Sequence, residues 1–581
     1  MTRSFFTRIA LVLALATTLA CAPSVDSPAG EKTGTVADLV LRGGKIATVN
    51  AEQPEAQALA VVGANIAAVG SDEEIASWIG PDTRVVELGG RLAVPGFIEG
   101  HGHFMSLGTA KTILDLNSAA TWDEIVAMVA EAVANAEPGE WIRGRGWHQE
   151  KWTETPSPSV DGAPVHASLS AISPDNPVIL GHASGHAAFA NAKALEAGGF
   201  TRDSEDPPGG TLVRDADGEL TGLLRETAQR PVWGAFEKSQ ENRDAAEIDA
   251  EQRRLVQLAG EEALSKGVTS FQDAGSSFET IDFLKSLEDE GALPIRLYVM
   301  VRYASNDEMA EKLPLYRSDA EGNDFLAVRS IKRQIDGALG PHGAWLLEPY
   351  ADMPDSIGLV LDPEDEIRRT AEIAVEHGYQ VNTHAIGDRA NRRVLDIYGE
   401  VFAAAGVDSK ELRWRIEHAQ HLHPDDVVRF PEMGIIASMQ GVHCTSDAPW
   451  VLRRLGAERA ESGAYLWRTL IDSGVVVTNG TDVPVEDIDP IASFYASVAR
   501  ITKDGEAFYP DQRMTREEAL RSYTLNGAYA AFEEESKGSL EVGKLADVVV
   551  LSKDIMTVPV EEIPEARVEM TILGGEVRYE G

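Results

Sequence analysis

The chain is poor in cysteine. Among 581 residues there are two, Cys21 and Cys444. If Cys21 is used otherwise, no internal disulfide is possible and packing alone must hold the fold. Positive charge is scarce too: 52 Lys and Arg stand against 93 Asp and Glu, a formal net charge of −41. That balance argues against binding nucleic acid or an anionic membrane through bulk electrostatics. After Ile9–Ala20 no second long apolar run occurs, so nothing else is expected to cross a membrane. Short repeats of the solenoid or propeller type are missing. Glycine pairs such as Gly209-Gly210 lack the strand–GxGxxG–helix setting, which excludes a dinucleotide fingerprint.

What the N-terminus does have is two positive charges in residues 1–8, an apolar stretch over Ile9–Ala20, and Leu19-Ala20-Cys21. Residues 1–20 read as a signal peptide, and Cys21 as the lipidation point of a lipoprotein box, with Thr18 departing from the usual Leu. Plain secretion is the alternative. Residues 21–36 then form a flexible tether. The expected location is the periplasmic side of the envelope, anchored to the outer membrane because Ala22, not Asp, follows Cys21.

The stretch Leu92–His103 reads as one apolar strand running out into His101-Gly102-His103. Alternation along a strand puts residues i and i+2 on one side, so two imidazoles can face one metal. Short strands in residues 37–93 and again in 538–581 are each too few for a core, so both ends are expected to share one β-sandwich. Between them, 94–537, strands and helices alternate. Seven further strands are expected at 267–273, 295–300, 328–337, 379–384, 413–418, 434–439 and 475–482. Eight strand–helix units predict an α/β fold, a (β/α)₈ TIM-like barrel, whose chemistry sits at the C-terminal strand ends. A segment of about 121–227 is an insertion.

Ligand-type residues recur at those ends: His101, His103, His384, His418 and Asp482, with Lys332 inside the fourth strand. A buried lysine is costly unless it pairs with a carboxylate or reacts with CO₂ to become an anionic carbamate. On Pro95–His103, Lys332 with Asp336–Gly340, His384–Asp388, Ile416–Gln420, Gly480-Thr481-Asp482, Tyr523–Ala528 and Gly538–Asp547, the chain resembles the amidohydrolase superfamily of metal-dependent hydrolases. Its likeness is to the branch that includes N-substituted formamide deformylase-like proteins. Pro341-His342 departs from the small residue and arginine more usual there.

The resemblance implies two divalent ions, expected to be zinc. His101, His103 and Asp482 would hold one, His384 and His418 the other, with carbamylated Lys332 bridging them. Asp482 would be the catalytic proton carrier, and His186 would contact substrate. The implied activity is hydrolysis of a non-peptide C–N bond in a small amide, formamide or cyclic amide. Alternatives are an ester or phosphoester hydrolase, a deaminase on the same site, or a non-catalytic ligand-binding lipoprotein. A homo-oligomer is left open. Of the remaining candidates, Trp147, His148 and Trp152 read as packing or a pocket wall. Asp388 reads as a histidine-orienting residue or a helix cap, His421 and His423 as loop residues, and Cys444 as an inert thiol.

Overall fold

The computed structural model describes residues 36–320 and 324–581; the signal segment, Cys21 and all but the last residue of the tether lie outside them. Eight parallel strands form a nearly closed barrel with helices around it. They are β1 (Phe97–Gly102), β2 (Val268–Ser276), β3 (Arg296–Val301), β4 (Leu326–Gln334), β5 (Gln380–Ala385), β6 (Arg415–His418), β7 (Ile436–Gln440) and β8 (Val477–Gly480). Each pairs with the next in chain order, as right-handed strand–helix units do. Between β8 and β1 the seam is closed by two backbone bonds past the strand end, Asp482 N–H to the His101 carbonyl and His103 N–H to the Val483 carbonyl, both 2.8 Å. The strands come so close there that a Cβ on Gly100 would lie 2.4 Å from the Asn479 carbonyl oxygen.

The apolar run Leu92–His103 is two strands, not one. Leu92–Pro95 belongs to a sheet with Lys45–Ala47 and Val548–Leu551, and β1 begins only at Phe97. Gly96 N–H donates to Asp547 O and Phe97 N–H to Gly267 O, so hydrogen bonding passes from one sheet to the other within one residue. A Cβ at Gly96 would fall 2.1 Å from Thr269 Oγ1. Both pieces are buried on both faces, so apolar content alone does not mark the break.

The two chain ends meet in two facing sheets. One holds Leu39–Arg42, Ala58–Val62, Asn65–Gly70 and Arg84–Glu87; the other combines Lys45–Ala47, Glu55–Ala56 and Leu92–Pro95 with Val548–Leu551, Val568–Leu573 and Glu576–Glu580. Leu41, Leu59 and Val61 pack against Ile46, Val548, Val550 and Ile572. The terminal stretch turns at Gly574-Gly575, both at positive φ, so it makes two strands rather than one. A buried bidentate pair, Arg296 with Asp547 at 2.9 and 3.2 Å, ties β3 to the C-terminal sheet.

Between β1 and β2 the chain builds a six-stranded mixed sheet of its own. It starts at Leu114–Asp115, ahead of the expected Thr121, and a helix Arg230–Gln240 follows its last strand, Leu220–Glu226. A two-residue edge strand carries no readable alternation. Trp122, Trp147, Leu180 and Phe189 fill its separate core. No helix among the described residues is long and apolar enough to cross a membrane.

Candidate metal centre

Six side chains converge at the C-terminal mouth of the barrel and line one open cavity of about 450 Å³: His101, His103, Lys332, His384, His418 and Asp482. β1 delivers His101 at 1 % exposure, and His103 stands at the N-cap position of the following helix without a side-chain capping bond. β4 carries Lys332, β5 His384, β6 His418, and Asp482 sits two residues past β8. His418 (φ 74°) and Asp482 (φ 57°) hold left-handed backbone that costs a non-glycine residue about 1–3 kcal/mol. The surrounding barrel imposes it where the strands turn their last side chains inward.

The nitrogens of His101 and His103 and an oxygen of Asp482 all lie within 4.8 Å of one another, the geometry of a three-ligand metal site. Asp482 Oδ1 is 3.2 Å from His103 Nε2 and 3.6 Å from His101 Nε2. The His418 ring is 4.8 Å from that of His101 and 4.4 Å from that of His384. Lys332 Nζ stands 3.2 Å from His101 Nε2.

The layer behind these groups sets their protonation. Glu417 Oε2 meets His101 Nδ1, and the same carboxylate accepts Arg415 Nε at 2.7 Å and Nη2 at 3.0 Å. With Nδ1 so engaged, His101 presents Nε2 to the cavity. Gln440 Oε1 accepts from His418 Nδ1 at 2.7 Å and does the same for that ring. Burial pulls His101 down to about 4, and His384 and His418 well below the usual histidine range, so all three imidazoles are neutral at pH 7. Burial raises the Asp482 carboxyl, but His103, His101 and His418 outweigh it and hold it well below the carboxylate range. Burial also brings Lys332 down to about 7.

A model of the amidohydrolase family matches residues 84–579. The chain belongs to that family. Among relatives of this amidohydrolase, Protein LONG AFTER FAR-RED 3 of Arabidopsis thaliana is 36 % identical over 94 % of this chain and 92 % of its own. N-substituted formamide deformylase of Arthrobacter pascens is 28 % identical, over 94 % and 98 %. A solved structure of a metal-dependent hydrolase from Pyrococcus horikoshii, itself uncharacterized, superposes with a TM-score of 0.71 at 26 % identity, covering 90 % of this chain and 99 % of that one. The amidohydrolase is an enzyme of the hydrolase class.

His101, His103 and Asp482 fit a divalent ion. Neutral imidazoles with a carboxylate are the donor set such an ion takes, and the His384 Nε2 beside them is buried without a hydrogen-bond partner. His186 stands beside this set, its ring 5.4 Å from that of His384 and its Nδ1 2.9 Å from Glu226 Oε2. Glu226 and Gln440 carried no signal of their own in the sequence. Glu417 alone had one available, its place next to His418 at a barrel strand end.

The other sequence candidates sort by position. Trp147 is packed in the insertion's core against Trp152 and Phe189. His148 stacks on Trp450 in a second cavity that shares His384, His418 and Asp482 with the first. Asp388 accepts the N–H groups of Leu347 and Arg389 and does not orient His384. His421 lies in the loop past β6 and is buried there, and His423 is half-exposed and caps a short helix. Burial lifts Cys444 to about 11, an inert thiol.

Proposed function

We propose that this amidohydrolase cleaves a non-peptide C–N bond of a small amide, formamide or cyclic amide. His101, His103 and Asp482 would hold one divalent ion, His384 and His418 a second, and Lys332, as its carbamate, would bridge them; zinc suits the nitrogen-rich set. The observation that carries this is Lys332. It is 2 % exposed, it reaches a metal-type imidazole nitrogen, and it has no carboxylate within ion-pair distance among the described residues. Of the two ways to tolerate a buried lysine, pairing is therefore unsupported, and the carbamate fits. Burial favours the neutral amine that reacts with CO₂, and the product is an anion with two oxygens.

Bound divalent ions acidify water towards neutrality and polarise a carbonyl. The chain supplies the rest. Asp482, whose Oδ1 faces His103 and His101 at the cavity, accepts the proton of the attacking water and returns it to the departing nitrogen. His186, braced by Glu226, contacts the substrate at the cavity shared with His384. Glu417 and Gln440 fix two imidazoles in the tautomer that faces the cavity. Export and lipid anchoring at Cys21 are proposed with it, on the signal-like residues 1–20.

The test is a panel of N-formyl and N-acyl amines, read by amine release, with metal analysis on the same preparation. Amine release that falls at least about 100-fold in Asp482→Asn supports the reading. Absence of release from every compound by the metal-loaded protein, or full turnover in Asp482→Asn, overturns it.

A further inference from the structure

The cavity in front of the metal-type residues is lined by four arginines, Arg143, Arg145, Arg230 and Arg302. In a chain with 93 carboxylate side chains, an arginine within reach of its own cavity ordinarily finds one. None of these four makes an ion pair among the described residues. Arg145 donates to the carbonyls of Pro484 at 3.2 Å and Ala183 at 2.9 Å. Arg302 donates to the Ala274 carbonyl at 3.3 Å and the Gln334 amide oxygen at 2.6 Å. Arg143 lies over the Phe236 ring at 4.5 Å. Arg230 is exposed at the start of the helix Arg230–Gln240. Of the two carboxylates in the same cavity, Glu226 meets His186 through Oε2, and Asp482 stands by the histidine pair; neither lies within ion-pair distance of these arginines.

The four come from three elements: the insertion's strand Ile142–Trp147 (Arg143 and Arg145), the helix Arg230–Gln240, and the loop after β3. Alternation along one strand brings Arg143 and Arg145 to one face, since i and i+2 point alike. Burial draws Arg145 down to about 10, which leaves it a cation at neutral pH, partly stripped of water. Such a group gains most from an anion that supplies the missing partner. The second cavity adds apolar Leu339, Ile386 and Trp450, which the first lacks, beside its histidines and the charged Lys151, Asp447 and Glu486. The scissile group would sit between the two, over His384, His418 and Asp482, which both cavities share.

We propose that the substrate of this amidohydrolase is an anion: an amide with a carboxylate at one end, seated among Arg143, Arg145, Arg230 and Arg302, and an apolar group at the other. This rests on the amide-hydrolase reading and narrows it to a substrate class.

Two matched pairs test it on the metal-loaded enzyme. N-formylphenylalanine against N-formylphenethylamine places the carboxylate on the amine side. N-succinylphenethylamine against N-butyrylphenethylamine places it on the acyl side. In at least one pair, kcat/KM should favour the carboxylate about tenfold to a hundredfold. Arg302→Met and Arg230→Met should each reduce that preference about tenfold, and Arg302→Lys should keep part of it. A general loss of folding would lower both members of a pair together and leave the ratio alone. Binding of the same four compounds to metal-loaded Asp482→Asn reads the anion site without turnover. No turnover with binding still selective for the carboxylates would defeat the hydrolase reading and leave the anion site standing. Equal kcat/KM within both pairs, or a preference unmoved by the arginine variants, overturns the proposal.

Discussion

Glu417→Gln isolates the contribution of a residue that touches no ion in the proposed centre. Glu417 is fully buried and serves three donors with two oxygens: Oε1 takes Arg415 Nε, and Oε2 takes both Arg415 Nη2 and His101 Nδ1. Glutamine offers one acceptor oxygen and a donor NH₂, so whichever way it turns, a buried donor faces another donor. An unsatisfied buried donor costs about 1–3 kcal/mol. Arg415 keeps the Gly100 carbonyl at 2.7 Å and Ser438 Oγ at 2.8 Å, but it loses its anion, which brings the expected destabilisation to roughly 2–4 kcal/mol. The centre should suffer separately. Without a carboxylate on Nδ1, His101 is free to place its proton on Nε2, the nitrogen facing Lys332, and loss of such a partner costs about 10–100-fold in metal affinity. Zinc affinity is read by competition with a chelator of known strength, stability by thermal melting of the same samples. Arg415→Gln is the control, since it weakens the same buried network but leaves the His101–Glu417 contact in place. Glu417→Gln should lose zinc affinity well beyond that control. Equal zinc affinity in wild type and Glu417→Gln, with only the melt lowered, would refute the tautomer argument.

Lys332→Ala should lose most activity and one metal per chain, with short carboxylic acids restoring part of both; Lys332→Arg should fail because guanidinium forms no carbamate, and two metals with full turnover in Lys332→Ala would sink the bridge. Gly100→Ala pushes a Cβ against the Asn479 carbonyl at the barrel seam and should lower the melting temperature by the equivalent of about 1–3 kcal/mol, together with metal content, since His101 and Asp482 sit on the two sides of that seam. Cells fed a labelled fatty acid should mark the wild-type chain and spare Cys21→Ala; equal labelling of both would remove the lipid anchor.

The barrel was legible because its eight strands are apolar runs spaced by helices; of the six polar residues at its mouth, five were legible because they end those runs and Lys332 because it interrupts one. Strand limits moved by a few residues where polar ends leave the ladder, as at Thr481 and Asp482 after β8. Gly96 was invisible as a boundary because the residues on both sides are equally buried, one set in each sheet. Glu417 and Glu226 were missed for a related reason. A sequence shows that a residue is acidic, but not that its partner, His101 or His186, lies 316 or 40 positions away. The arginines were missed because their significance lies in the partners they do not have, which only a folded chain reveals.

The sheet built from both ends of the chain has a consequence for synthesis. Leu92–Pro95 can pair with Lys45–Ala47 early, but its other edge belongs to Val548–Leu551, which is made more than four hundred residues later. Until then that edge offers unpaired backbone N–H and C=O groups to any neighbouring strand. The residue that ends this strand, Pro95, is followed by Gly96 and the first strand of the barrel, so the wait holds open the very segment that carries His101 and His103. Completion of the catalytic mouth is thereby coupled to arrival of the last strands, and a chain stopped short of Val548 would present an adhesive strand edge instead of an enzyme.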